Sequence, residues 1–367
     1  MRIAQVAPLH ESVPPRLYGG TERVVHYLTE ELVRLGHAVT LFASGDSKTS
    51  ARLEACCGEA LRLDPRCQDS VVHHVLMLEK LFQRAHEFDI IHFHVDYLHF
   101  PLLRRYDVTS LTTFHWRLDL PDFKPIAAEF TELPVSSISL SQRRPLPGLN
   151  WVGNVYHGLS RDALPFTPGP GRYLAFLGRV SPEKGLDQAV EIALRTGRKL
   201  RIAAKINDFE RDYFDEQIKP LLRSPQVEFL GEICEEEKAD FLGNAEALLF
   251  PIQWPEPFGL VMIEAMACGT PVIAYPHGSV PEVLRHGVTG YIVDNTDGAV
   301  QAVNCLDQLD RRRCREEFET RFTSTHMAKS YLRVYRKLLQ QKQSVRETGW
   351  KRSSKSRENI MSSPLPL

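Results

Sequence analysis

EALLFPIQWPEPFGLVMIEAMACGTPVIAY, residues 246–275, changes character three times in one short stretch. EALLFP (246–251) is an apolar run of strand length, Pro257 and Gly259 mark a turn, LVMIEAMAC reads as a helix, and TPVIAY (270–275) returns to a strand pattern. Strand, turn, helix, strand is the βαβ unit, whose crossover is right-handed and whose parallel strands are covered on both faces.

The alternation continues in both directions. YLAFLG (173–178), KLRIAA (199–204) and VEFLG (227–231) precede this segment and GYIV (290–293) follows it, with helical stretches between them. An earlier cycle runs through IAQVA (3–7), a helix from Thr21 to Leu35, AVTLFA (38–43), a helix around 71–87, DIIHFH (89–94), SLTTF (110–114), PVSSI (134–138) and VGNVY (152–156). LPFTPGPG (164–171) lies between the cycles, and its prolines and glycines stop regular structure. The pattern predicts an α/β protein of two Rossmann-like, doubly wound domains, 1–163 and 172–324, with a linker at 164–171 and a closing amphipathic helix at 325–341. Ligands of such sheets sit outside the carboxyl ends of the strands, so two facing domains place a ligand in the cleft between them. Residues 342–367, rich in Ser, Lys and Arg, are expected to form a disordered tail.

Composition narrows the partners. Forty-five Lys and Arg against 46 Asp and Glu leave a formal net charge of -1, so no global field draws the chain to nucleic acid or to anionic lipid. The seven cysteines are scattered, without CxxC pairs or a disulfide spacing, and read as reduced. The opening IAQVAP is too short and too quickly broken by Pro8 to be a signal-peptide core, which leads to a cytoplasmic expectation. No uncharged apolar run approaches the roughly 18 residues of a membrane span. Peripheral membrane contact through Arg104, Arg105, Arg143 and Arg144 is less favoured than a solvated surface.

Chemistry concentrates in four places. Glu256 and Glu264 flank a helix start whose free amides, at Phe258, Gly259, Leu260 and Val261, suit a diphosphate. Both carboxylates can face the cleft at different depths, accepting from paired hydroxyls, and an acid as enclosed by apolar neighbours as Glu264 needs a partner. FLGRVSPEKGLDQAVEIA (176–193) puts Arg179 and Lys184 on a strand-end turn, where two cations can neutralise a pyrophosphate. In YGGTERVVHYLTEEL (18–32), Gly19 and Gly20 precede a helix that Thr21 can cap. TTFHW (112–116) places His115 just past a strand. His92, His94 and His99 raise the question of zinc, but only Asp96 stands near enough in sequence to complete a ligand set.

Taken together, EPFG…E, GRVSPEKG, YGGTE and FHW resemble the family-4 retaining glycosyltransferases of GT-B fold over most of the first 340 residues. The resemblance implies that Glu256 lies at the donor sugar and Glu264 at the nucleotide ribose. It implies that Arg179 and Lys184 grip the diphosphate, that Gly19 and Gly20 close over the phosphates and acceptor, and that His115 contacts sugar hydroxyls. The backbone around Gly231, Glu232 and Ile233 would meet the base, although RIAAKIND carries Lys205 where a small residue is usual. The implied reaction moves a hexose, with retention and without metal or cofactor, from a nucleotide-diphosphate sugar to an unidentified hydroxyl acceptor in glycan, glycolipid or small-molecule glycoside synthesis. A UDP-sugar is favoured over a GDP- or ADP-sugar. The alternatives are a catalytically silent nucleotide-sugar-binding protein and a GT-B relative such as a nucleotide-sugar epimerase.

Overall fold

The computed structural model describes residues 1–16 and 19–361, with side chains through residue 344. Two all-parallel sheets carry the architecture. Strands β1 (Arg2–Val6), β2 (Ala38–Ser44), β3 (Arg52–Cys57), β4 (Ile90–Phe93), β5 (Ser110–Thr113), β6 (Pro134–Ser137) and β7 (Asn150–Asn154) are ordered β3-β2-β1-β4-β5-β6-β7 in the first sheet. Strands β8 (Tyr173–Arg179), β9 (Leu200–Lys205), β10 (Val227–Gly231), β11 (Ala245–Phe250), β12 (Val272–Ala274) and β13 (Gly290–Ile292) form the second, ordered β10-β9-β8-β11-β12-β13. The order reverses at β1/β4 and at β8/β11, the switch points where doubly wound sheets open a crevice. This is the GT-B arrangement.

Each sheet is buried on both faces. In β1, Ile3 packs with the helix Gly20–Arg34, while Ala4 and Val6 face the helix Ser70–Gln83 on the other side. Gln5, in the same strand, is equally inaccessible, a polar side chain in the middle of a central strand. In the second domain Leu174 and Phe176 of β8 point to one core, and Tyr173 and Ala175 to the other.

Three local readings need correction. β3 was not expected: RLEACC lies at a sheet edge, and its half-exposed, polar pattern lacks the apolar signature of a buried strand. The first helix begins at Gly20 with Gly19 at its N-cap and no side-chain cap, so Thr21 lies inside the first turn and does not cap it. The last helix, Ser324–Met361, continues past residue 341, consistent with a run free of proline until Pro364; residues 362–367 of the expected tail lie outside the described residues.

That last helix returns to the first domain. Met327, Tyr331, Tyr335 and Leu338 pack among Ile3, Leu28, Ile90 and Leu111. The chain therefore crosses between domains twice, after β7 and again at 322–324. The crossings touch: Leu159 N donates to Phe322 O at 2.9 Å and Ser324 N to Leu159 O at 2.7 Å. Gly158 permits the approach, since a Cβ there would fall 2.3 Å from Thr323 O. Farther out, Glu282 of the second domain accepts from the Leu140 and Ser141 amides (2.8 and 2.7 Å) and from Tyr156 Oη (3.1 Å) of the first. Among the described residues, no helix is long and apolar enough to cross a membrane.

Candidate active site

The carboxyl ends of both sheets face one cavity of about 590 Å³. From the first domain come Gly19 and Gly20 after β1, His94 and Asp96 after β4, and His115 after β5. The second contributes Arg179 and Lys184 after β8, Ile233 after β10, and Glu256, Phe258, Gly259, Leu260, Val261 and Glu264 around the start of the helix Leu260–Ala267. Gly231 is the exception. It ends β10 at φ 77 and turns the chain so that Glu232 and Ile233, not Gly231 itself, line the cavity.

Lys184, Arg179 and Glu264, buried in this cavity, each have a partner of opposite sign. Lys184 Nζ lies 2.5 Å from Glu256 Oε2, which also accepts from Trp254 Nε1 at 2.9 Å. Arg179 is held by Glu183 (2.7 Å) and Glu210 (3.0 Å). Glu264 pairs with Lys238 at 2.8 Å, and Lys238 with Glu235 at 3.0 Å. Glu235 in turn pairs with Arg23 from the first domain, so one string of alternating charges crosses the cleft. Burial alone would raise the Glu264 carboxyl, but the charges of Lys238 and Arg23 outweigh it and hold the group below the usual glutamate range. The amides of Phe258, Gly259, Leu260 and Val261 make no hydrogen bond among the described residues, leaving the helix start open as an anion site.

The two loops carrying Lys184 and Glu256 are locked together. Gln253 N donates to Glu183 O at 2.8 Å, and Gly185 sits at φ 68, where an added Cβ would come 2.3 Å from Pro251 O. Only glycine meets both demands.

Two family models cover overlapping parts of the chain: Glycosyltransferase Family 4 at residues 18–179 and Glycosyl transferases group 1 at residues 165–319. The chain belongs to the family-4 glycosyltransferases of GT-B fold. It is 25% identical to glycogen synthase of Mycobacterium tuberculosis, over 88% of this chain and 93% of that protein. Among solved structures it is similar to AviGT4, a glycosyltransferase involved in avilamycin A biosynthesis (TM-score 0.72, 23% identity, covering 92% and 98% of the two chains). It is similar also to Anabaena HepE in complex with UDP and glucose (TM-score 0.72, 19% identity, 91% and 98%).

The first-domain side of this glycosyltransferase's cavity is built on histidines. His115 Nε2 lies 2.8 Å from His94 Nδ1, and the His115 ring stacks on His157 with centroids 5.2 Å apart. Burial pushes His115 down to about 3 and drives His94 and His157 well below the ordinary histidine value, so these rings are neutral near pH 7. His92 and His94 lie ring against ring (centroids 4.1 Å), but the three histidines form no metal-ligand group among the described residues: His92 bonds Tyr335 and Thr113, His94 bonds Gln5 and His115, and His99 bonds Thr112.

Asp96 is a further cavity residue that sequence reasoning considered only as a metal ligand. It is the sole non-glycine residue at positive φ among the described residues (φ 50), and burial pushes its carboxyl up to about 6. Strained backbone of this kind clusters at ligand sites. Glu22, Arg23 and Lys238 were missed altogether, because charged residues on a helix read as solvated until the facing domain is known.

Two outcomes follow. Gly185→Ala is expected to cost about 2 kcal/mol or more from strain and close contact, read as a lower midpoint of urea unfolding. Burial pushes Glu22 from 4.5 up to about 7. A raised carboxyl favours folding below the unfolded value and loses that contribution as pH climbs through the folded one. Thermal unfolding of Glu22→Gln should therefore match wild type near pH 4 and exceed it by a few degrees near pH 8; parallel curves would contradict this.

Proposed function

We propose that the chain moves a hexose, with retention, from a nucleotide-diphosphate sugar to a hydroxyl acceptor, without metal or cofactor, in the cytoplasm. The observation that carries this reading is the open helix start at 258–261 between two carboxylate–lysine pairs, Lys184–Glu256 on one side and Lys238–Glu264 on the other. Amides and cations suit a diphosphate, while carboxylates suit the hydroxyls of the groups at its two ends. Glu264, at the deeper position, takes the ribose. Glu256, in the loop, takes the transferred sugar. A UDP-sugar is the favoured donor, consistent with the UDP and glucose held by the HepE structure.

The reaction is a front-face substitution. As the bond from the anomeric carbon to the diphosphate breaks, the leaving phosphate oxygen takes the proton of the incoming hydroxyl, so no protein nucleophile is needed. Arg179 and Lys184 hold the charge that grows on the diphosphate, the preorganised electrostatic route to a lower barrier. To do so they exchange carboxylate partners for phosphate oxygens. Asp96, with no hydrogen-bond or ion-pair partner among the described residues, offers its carboxylate to the acceptor hydroxyl from the other wall.

Glu264→Gln should weaken free UDP and UDP-sugar alike in calorimetry. Glu256→Gln should leave UDP affinity near normal while turnover falls about 10²-fold, as for a contact that strengthens in the transition state. Equal loss of UDP affinity in both variants would show the two carboxylates misplaced. Turnover of a donor panel should survive EDTA, and activity lost on chelation and regained with Mg or Zn would remove the metal-independent mechanism.

A further inference from the structure

Seven buried polar groups form one continuous hydrogen-bonded chain from the last helix to the cavity. His115 Nε2 is 2.8 Å from His94 Nδ1, and His94 Nε2 is 2.8 Å from Gln5 Oε1. Gln5 Nε2 donates to Tyr335 Oη at 3.2 Å, and Tyr335 Oη lies 2.7 Å from His92 Nδ1. His92 Nε2 is 2.7 Å from Thr113 Oγ1, which donates to Tyr331 Oη at 3.1 Å.

The donors and acceptors close in a single direction. A primary amide is the one member whose two ends differ in kind, so Gln5 sets the sense of the chain. Its NH2 group is used on Tyr335, which frees the Tyr335 hydroxyl proton for His92 Nδ1 and leaves His92 Nε2–H to donate to Thr113. On the other side the Gln5 oxygen takes the His94 Nε2 proton. His94, neutral because it is fully enclosed, then presents a bare Nδ1, which takes the Nε2 proton of His115. His115 is left with an unprotonated Nδ1, and this atom, buried and without a hydrogen-bond partner among the described residues, belongs to a ring that lines the cavity.

We infer that Tyr335, through Gln5 and His94, fixes His115 as the Nε2–H tautomer, so that His115 Nδ1 accepts a hydrogen bond from a hydroxyl of the bound sugar. Gln5, His94 and Tyr335 are thus positioning residues, and the last helix, which reaches the first domain only after the second is complete, orients a group in the site. Turning the Gln5 amide over would reverse every donor in the chain and convert His115 Nδ1 from acceptor to donor. Thr113, by donating to Tyr331, accepts from His92 Nε2–H and leaves His92 Nδ1 bare, which commits the Tyr335 proton to His92 and holds the amide in place. The sugar contact rests on the proposed donor reading; the direction of the chain does not.

Nitrogen-15 NMR of the histidine side chains in the unliganded full chain reads the tautomer directly. The expected result is a protonated Nε2 and a bare Nδ1 at His115. In Tyr335→Phe the amide is released and His115 becomes a mixture of tautomers. Calorimetry should then show UDP-glucose binding about tenfold weaker with UDP binding unchanged, as for loss of one hydrogen bond to the sugar. A protonated Nδ1 in wild type overturns the proposal, whatever the variant does. An unchanged tautomer in Tyr335→Phe overturns the role of the last helix. If wild type shows the expected tautomer but takes UDP and not UDP-glucose, the direction of the chain stands and the sugar contact falls.

Discussion

An ionised group is expensive to bury unless a partner of opposite sign goes with it, and this requirement organises the cleft. Glu256 has Lys184, Glu264 has Lys238, and Arg179 has Glu183 and Glu210. In the first of these the partners come from different loops, since Lys184 follows β8 and Glu256 follows β11. Charge pairing therefore ties together the segments that parallel strands deliver separately to the rim of the sheet. Arg23, pairing with Glu235, extends the tie to the first domain.

The same pairing defines what an anionic ligand meets. The cations are present but occupied, and a diphosphate gains only the difference between its contacts and those it displaces. The unoccupied donors are the amides at 258–261, which are dipolar rather than ionised and need no counter-charge when empty. The cavity thus divides into exchangeable side-chain pairs and a fixed backbone cradle. The histidines of the opposite wall are neutral, so the charge on that side is carried by side chains such as Arg23 and by the carboxyls of Asp96 and Glu22.

The sequence made the sheets legible because buried parallel strands read as unbroken apolar runs, as YLAFLG and EALLFP do. β3 escaped because an edge strand can be half polar. Most of the candidate site was legible too, since glutamates and cations bunched at strand ends have few other reasons to be there, and twelve of the proposed residues line one cavity. What was hidden depends on residues far apart in the chain. Nothing in YLRVY announces that Tyr335 will meet Gln5, 330 positions earlier, and nothing in GTERVV shows that Arg23 will find Glu235. Of the backbone expected at 231–233, Glu232 and Ile233 line the cavity and Gly231, in its left-handed turn, does not.

The chain passes between the domains twice, and at Leu159 and Phe322–Ser324 the two passages are bonded side by side. Two bodies joined by one flexible tether can slide, twist and swing. Joined by two tethers laced together along one short line, they keep chiefly the freedom to swing about it, like the covers of a book about its spine. A turn about that line opens or closes the contacts between the domains, the pair of Arg23 with Glu235 among them.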